Sequence, residues 1–100
     1  MTVTIERVEK ELNVPRDLLL RDGMKRYLEF ELRRLEIDAA EIRRKHGVKS
    51  FDDLWGKLER GEVSEAECFD DLTRLEYLET RAGKVVKLLE ELLGFGFESA

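Results

Sequence analysis

Leu28, Leu32, Leu35, Ala39, Ile42 and His46 recur at alternating steps of four and three. Leu72, Leu75, Ala82, Val86, Leu89 and Leu93 repeat that rhythm, with Glu79 as its one interruption. Such spacing gathers each set on one side of an α-helix, and each side demands a partner surface. Two stripes of this kind constrain the chain to pack helix against helix. At 1.5 Å per residue, residues 15–46 and 64–93 make rods of roughly 48 and 45 Å. The connection between them holds one short helix only, so the expected fold is all-α: a long antiparallel helical hairpin with two short helices.

Punctuation along the chain sets the expected boundaries. Residues 2–12 carry two patterns. Val3 and Ile5 alternate with Thr2, Thr4 and Glu6 as in a short strand, whereas Ile5, Val8 and Leu12 fit an amphipathic helix capped by Thr2 or Thr4. The run Glu6 to Leu12 holds strong helix formers and one β-branched residue, which favours the helix. Asn13-Val14-Pro15 breaks the chain, and Pro15 suits the first position of a new helix, where its missing N–H costs nothing. That helix is expected over 15–46, with a weak point at Gly23 and a stop at Gly47. A short helix over 51–60 follows, with an acidic first turn and Phe51, Leu54, Trp55 and Leu58. Ser64-Glu65-Ala66-Glu67 forms a capping box for the last helix, 64–93, which has a weak point at Gly83 and a stop at Gly94. Residues 94–100 read as a flexible apolar tail, and the whole of 1–100 as a single helical domain.

A second face carries more consequence than the first. If Leu28, Leu32, Leu35 and Ile42 form one seam, then Leu20, Tyr27, Phe30 and Ile37 point elsewhere on the same helix. Leu78, Val85 and Leu92 likewise flank the second stripe. A helix apolar on two sides is usually buried on two sides. Two hairpins closing into a four-helix homodimer would bury both; the two short helices folding over the second face are the alternative. Glu79 is expected to pair with a cation of the first long helix or to lie at an exposed edge. His46 reads as a capping or surface residue, since cations suit a helix C-terminus.

Composition narrows the function classes. The chain has 100 residues, of which 42% are hydrophobic and 41% charged. No apolar run approaches the ~18 residues of a membrane span, and the first ten residues lack a signal peptide's apolar core. A cytoplasmic protein is expected. Cys68 is the sole cysteine and reads as a small core residue. Gln is absent and Asn13 is the only Asn, amid abundant Glu, Lys and Arg. That balance is typical of hyperthermophile proteins. Asp52-Asp53 and Asp70-Asp71 sit in early helix turns, where acids favour the helix dipole, and do not read as metal ligands. No sequence-local nucleophile–base set, phosphate loop or metal motif occurs. Neither catalysis nor a cofactor is expected.

Charge is uneven. Residues 1–50 carry twelve bases and ten acids; residues 51–100 carry six bases and thirteen acids. The C-terminal half therefore suits a basic partner rather than nucleic acid. Arg33-Arg34 and Arg43-Arg44-Lys45 form a basic stretch, diluted by Glu36, Asp38 and Glu41. A strand over Val3–Glu6 would permit a ribbon-helix-helix DNA reader, against which the acids of Glu6–Glu11 argue.

Leu12-Asn13-Val14-Pro15, Leu28 to Glu36, Arg44 to Ser50, Gly61-Glu62-Val63 and the acidic and aromatic run Phe69-Asp70-Asp71-Leu72 carry a resemblance. Over some two thirds of its length the chain resembles small helical antitoxin-like proteins of archaeal and bacterial toxin–antitoxin pairs. The resemblance implies a non-enzymatic partner that masks a toxic ribonuclease, often as a dimer, here through its acidic C-terminal half. Trp55, Phe95 and Phe97 are the candidate partner contacts, and Leu20, Tyr27, Phe30 and Ile37 the candidate dimer face. A purely structural homo-oligomer and a DNA-binding regulator are the rival expectations.

Overall fold

A computed structural model describes residues 2–95, the last by its backbone alone. Among these residues there are four helices and no strand: α1 (Ile5–Leu12), α2 (Arg16–His46), α3 (Phe51–Glu59) and α4 (Glu65–Phe95). The fold is all-α, with α2 and α4, each 31 residues long, laid antiparallel. None of these helices is long and apolar enough to cross a membrane.

Short polar side chains set the helix starts. The Thr4 hydroxyl accepts the Arg7 N–H at 3.1 Å, so residues 5–12 are helical and the ribbon of a ribbon-helix-helix reader is absent. Asn13 ends α1 at φ 54°, a left-handed conformation that its short polar side chain tolerates. Pro15 is extended at φ −70° and ψ 148°, one residue before the helix rather than its first member. The Ser50 and Ser64 hydroxyls accept the N–H groups of Asp53 and Glu67, both at 3.2 Å. α2 ends at Gly47, whose φ of 63° lets the Val48 N–H reach back to the Arg43 carbonyl at 2.9 Å. Gly23 and Gly83 do not interrupt their helices. Gly94 does not stop α4 either, because glycine permits a left-handed cap without imposing one.

Leu35, Ala39 and Ile42 of α2 pack against Cys68, Leu72, Leu75, Leu78 and Val85 of α4, with Val48 and Leu54 from the connection. Leu54, Cys68 and Leu75 are wholly buried. The stripe expected on α4 is thus rotated in its second half: Leu78, Val85 and Leu92 are buried, while Val86 and Leu93 are exposed. Two physical causes combine. A strict seven-residue repeat drifts by about 20° per heptad on a straight helix. In addition, α3 covers only the first half of α4; its first residue, Phe51, is already level with Glu79. Up to that point α4 is covered from two sides. Beyond it α2 alone covers α4, and the buried line moves to the α2 side.

The molecule is long and flat, 61 × 34 × 20 Å. Three helices share the core at the end where α3 lies, the closed end. At the other, open end α2 and α4 form a two-helix layer, with α1 packed on α2.

Candidate docking surface

Ion pairs hold the hairpin in register. Arg81 Nε donates to Glu31 Oε1 at 3.0 Å, and Arg34 Nη2 adds a second cation at 3.1 Å. Glu31 is only 4% exposed, yet its charge is compensated by two guanidiniums whose other ends reach solvent. Glu79 is the seam's polar member, and it takes the first of its two expected roles. Its Oε2 accepts from Arg43 Nη2 at 2.9 Å and from the Phe51 N–H at 3.0 Å, which ties α2 and α3 to α4. Asp71 Oδ2 accepts from Lys45 Nζ at 2.8 Å and lies 2.8 Å from His46 Nε2. His46 therefore belongs to the seam rather than to the surface, with its side chain 10% exposed. Its carbonyl accepts from Lys57 Nζ at 3.0 Å, which fastens α3 to the end of α2.

These contacts make stability depend on pH. The Arg81 and Arg34 hydrogen bonds hold the Glu31 carboxyl below its ordinary value of 4.5. Lys45, then His46, lower Asp71 below 3.8. Both groups bind protons less readily folded than unfolded. Their contribution is complete above pH 4.5 and is lost as pH falls through the lowered folded values. The melting temperature should therefore fall as pH drops below 4.5, and Glu31→Gln should flatten that fall while lowering the melting temperature at neutral pH. An unchanged acid limb in Glu31→Gln would remove Glu31 from the explanation.

The closed end presents a surface of different character. Trp55 is 45% exposed and stacks on Phe51, with ring centroids 6.4 Å apart and planes inclined by 20°. Phe51 in turn packs against the core, so the indole is held in place while keeping an open face. Phe69, 54% exposed, follows the buried Cys68 on α4. Residues 52–76 hold nine acids and three bases. Asp53 accepts the Lys49 N–H, Glu62 pairs with Arg60, and Asp71 is spent on Lys45 and His46. Asp52, Glu59, Glu65, Glu67, Asp70 and Glu76 have no ion-pair partner among the described residues. The closed end thus offers free carboxylates together with one held aromatic ring, Trp55, and one exposed ring, Phe69, a combination that suits a basic, partly apolar protein surface.

Of the contacts expected from sequence, Trp55 lies here, whereas the Phe95 side chain and Phe97 lie outside the described residues. Tyr27, Phe30 and Ile37 are exposed on α2, and Leu20 is half-buried. The short helices leave those three uncovered, since α1 packs at the start of α2 and α3 against α4. Phe69 stands off the apolar repeat, so periodicity gives it no weight. Burial of Glu31 had a visible signal, for it sits three residues after Leu28 and four before Leu35, on the seam.

The family model described as the Uncharacterized protein MJ0235 family matches residues 1–96, and the chain belongs to that family. A relative from Methanocaldococcus jannaschii, Uncharacterized protein MJ0235, is 39% identical over 74 residues, which cover 74% of this chain and 90% of the relative. No solved structure matches the chain.

Proposed function

We propose that this member of the MJ0235 family is a non-enzymatic cytoplasmic binding protein. It holds a basic protein partner against its acidic closed end, as antitoxin-like proteins mask their toxins. One observation carries the reading: six carboxylates without an ion-pair partner among the described residues lie on α3 and the first half of α4, the same elements that carry the held ring of Trp55 and the exposed ring of Phe69. Exposed aromatics of this kind anchor protein interfaces, while carboxylates around them select the partner's charge and speed encounter. The seam carboxylates Glu31, Asp71 and Glu79 all have structural partners, which leaves the unpaired acids of the surface for recognition.

The tagged full-length protein, captured from its native host and read by mass spectrometry, should bring down one small basic protein in stoichiometric amount. The variant Trp55→Ala/Phe69→Ala should lose that protein by roughly tenfold or more in affinity, with its helicity intact. High salt should weaken the same complex. Recovery of the protein alone, or a partner indifferent to both substitutions, would overturn the reading in favour of a structural oligomer.

A further inference from the structure

The unburied apolar residues concentrate at the open end. No residue of α1 is buried, and none of α2 before Glu31, although this stretch contains Ile5, Leu12, Leu18, Met24 and Leu28. On α4 the same end exposes Val86 and Leu93. Val86 and Leu93 stand one and two heptads beyond Glu79, on the side of α4 that α3 covers at the closed end, so they continue beside α2 the trough that α3 fills; α3 stops halfway along it. The rotated seam thus has a structural meaning: Val86 and Leu93 continue an apolar surface whose third layer this chain does not supply.

Charge identifies what fits there. Residues 2–30 hold six acids and six bases, and residues 82–95 hold two of each. The open end is neutral with mixed signs, although the chain as a whole carries −5. An acidic or basic partner would find no complementary field on it. A two-fold axis, by contrast, sets a patch against its own copy, and a patch of mixed sign without net charge meets itself with no net repulsion. Area agrees. The chain exposes 7711 Å², whereas a compact monomer of 11.7 kDa exposes about 5,900 Å². That excess comes with the elongated shape, and a two-fold contact of the standard ~800 Å² per partner would bury part of it.

We infer that the open-end trough is the seat of a second copy of this chain, packed about a two-fold axis across Val86 and Leu93. This site is separate from the acidic closed end, and it differs from the outer α2 face of Phe30 and Ile37. The dimer would leave both closed ends free.

Two measurements on the full chain test this. Light scattering after gel filtration should give twice 11.7 kDa for the wild type and the monomer mass for Val86→Glu/Leu93→Glu, with helicity by circular dichroism unchanged. Both positions are exposed in the single chain, so the added charges leave the monomer's core alone. Lysine cross-linking of a mixture of isotope-labelled and unlabelled wild type reports on the interface without any substitution. Mixed-label links should join Lys25, Lys84 and Lys87, and these links decide the matter should the variant lose helicity. A monomeric wild type overturns the inference. So does a dimer whose mixed links are confined to Lys45, Lys49 and Lys57, or one that dissociates on Phe30→Glu but not on Val86→Glu/Leu93→Glu.

Discussion

Replacing Leu75 with alanine should remove roughly 3–4 kcal/mol of stability, a large part of the whole for a domain of this size. Leu75 has no exposed surface and lies in the core cluster with Leu54, Cys68 and Leu72. Truncation removes three heavy atoms from a packed site and leaves a cavity that rigid helices close only in part. At 4–8 °C per kcal/mol for a chain of this length, the midpoint should fall by roughly 15–25 °C. Val86→Ala, about three turns further along α4, should change the isolated monomer by less than about 0.5 kcal/mol, because the site is already open. Urea and thermal melts of both variants, run at concentrations where the chain is monomeric, check the pair. A loss below about 1 kcal/mol for Leu75→Ala would mean that the core is not where the buried surface places it.

Glu79→Ala should cost roughly 2–3 kcal/mol and loosen α3 before anything else. Glu79 Oε2 compensates Arg43 and receives the first amide of α3. Arg43 Nε is already buried without a partner among the described residues, so removal of the carboxylate leaves this guanidinium poorly satisfied. Glu79→Gln retains an oxygen for the Phe51 N–H but loses the charge, and it should fall between wild type and Glu79→Ala. Hydrogen exchange gives the sharper readout. Amides of α3 should lose protection in Glu79→Ala while those around Leu35 and Leu75 keep theirs. Uniform loss along all four helices would show that Glu79 secures the hairpin as a whole instead.

What was legible in the sequence was local. Ser50 and Ser64 cap as their residue type and spacing require, Gly47 ends α2 through a left-handed residue, and the heptad stripe locates Leu35, Leu72 and Leu75 in the core. For Glu79 the sequence left two readings open, a cation of the first long helix or an exposed edge, and packing against Arg43 selects the first. The second half of α4 was not legible. Whether Val86 or Val85 is buried depends on how far α3 reaches, which is a fact of tertiary packing. For His46 the stripe position was legible but its partner was not: its neighbours in sequence are cations, whereas Asp71 comes from the other helix. Of the docking surface, the acidic charge and Trp55 were readable, whereas Phe69 required the knowledge of which side of α4 stays open.

The half-length third layer also sets an order of assembly. Contacts at the closed end join residues such as Arg43 and Glu79, separated by 36 positions, whereas those nearer the open end join Glu31 and Arg81, separated by 50. The shorter closure costs less chain entropy and is rewarded at once by a three-helix core. Folding should therefore begin around α3 and zip toward the free ends of α2 and α4. The apolar trough is then the last surface to take shape, after the helices that frame it are already paired.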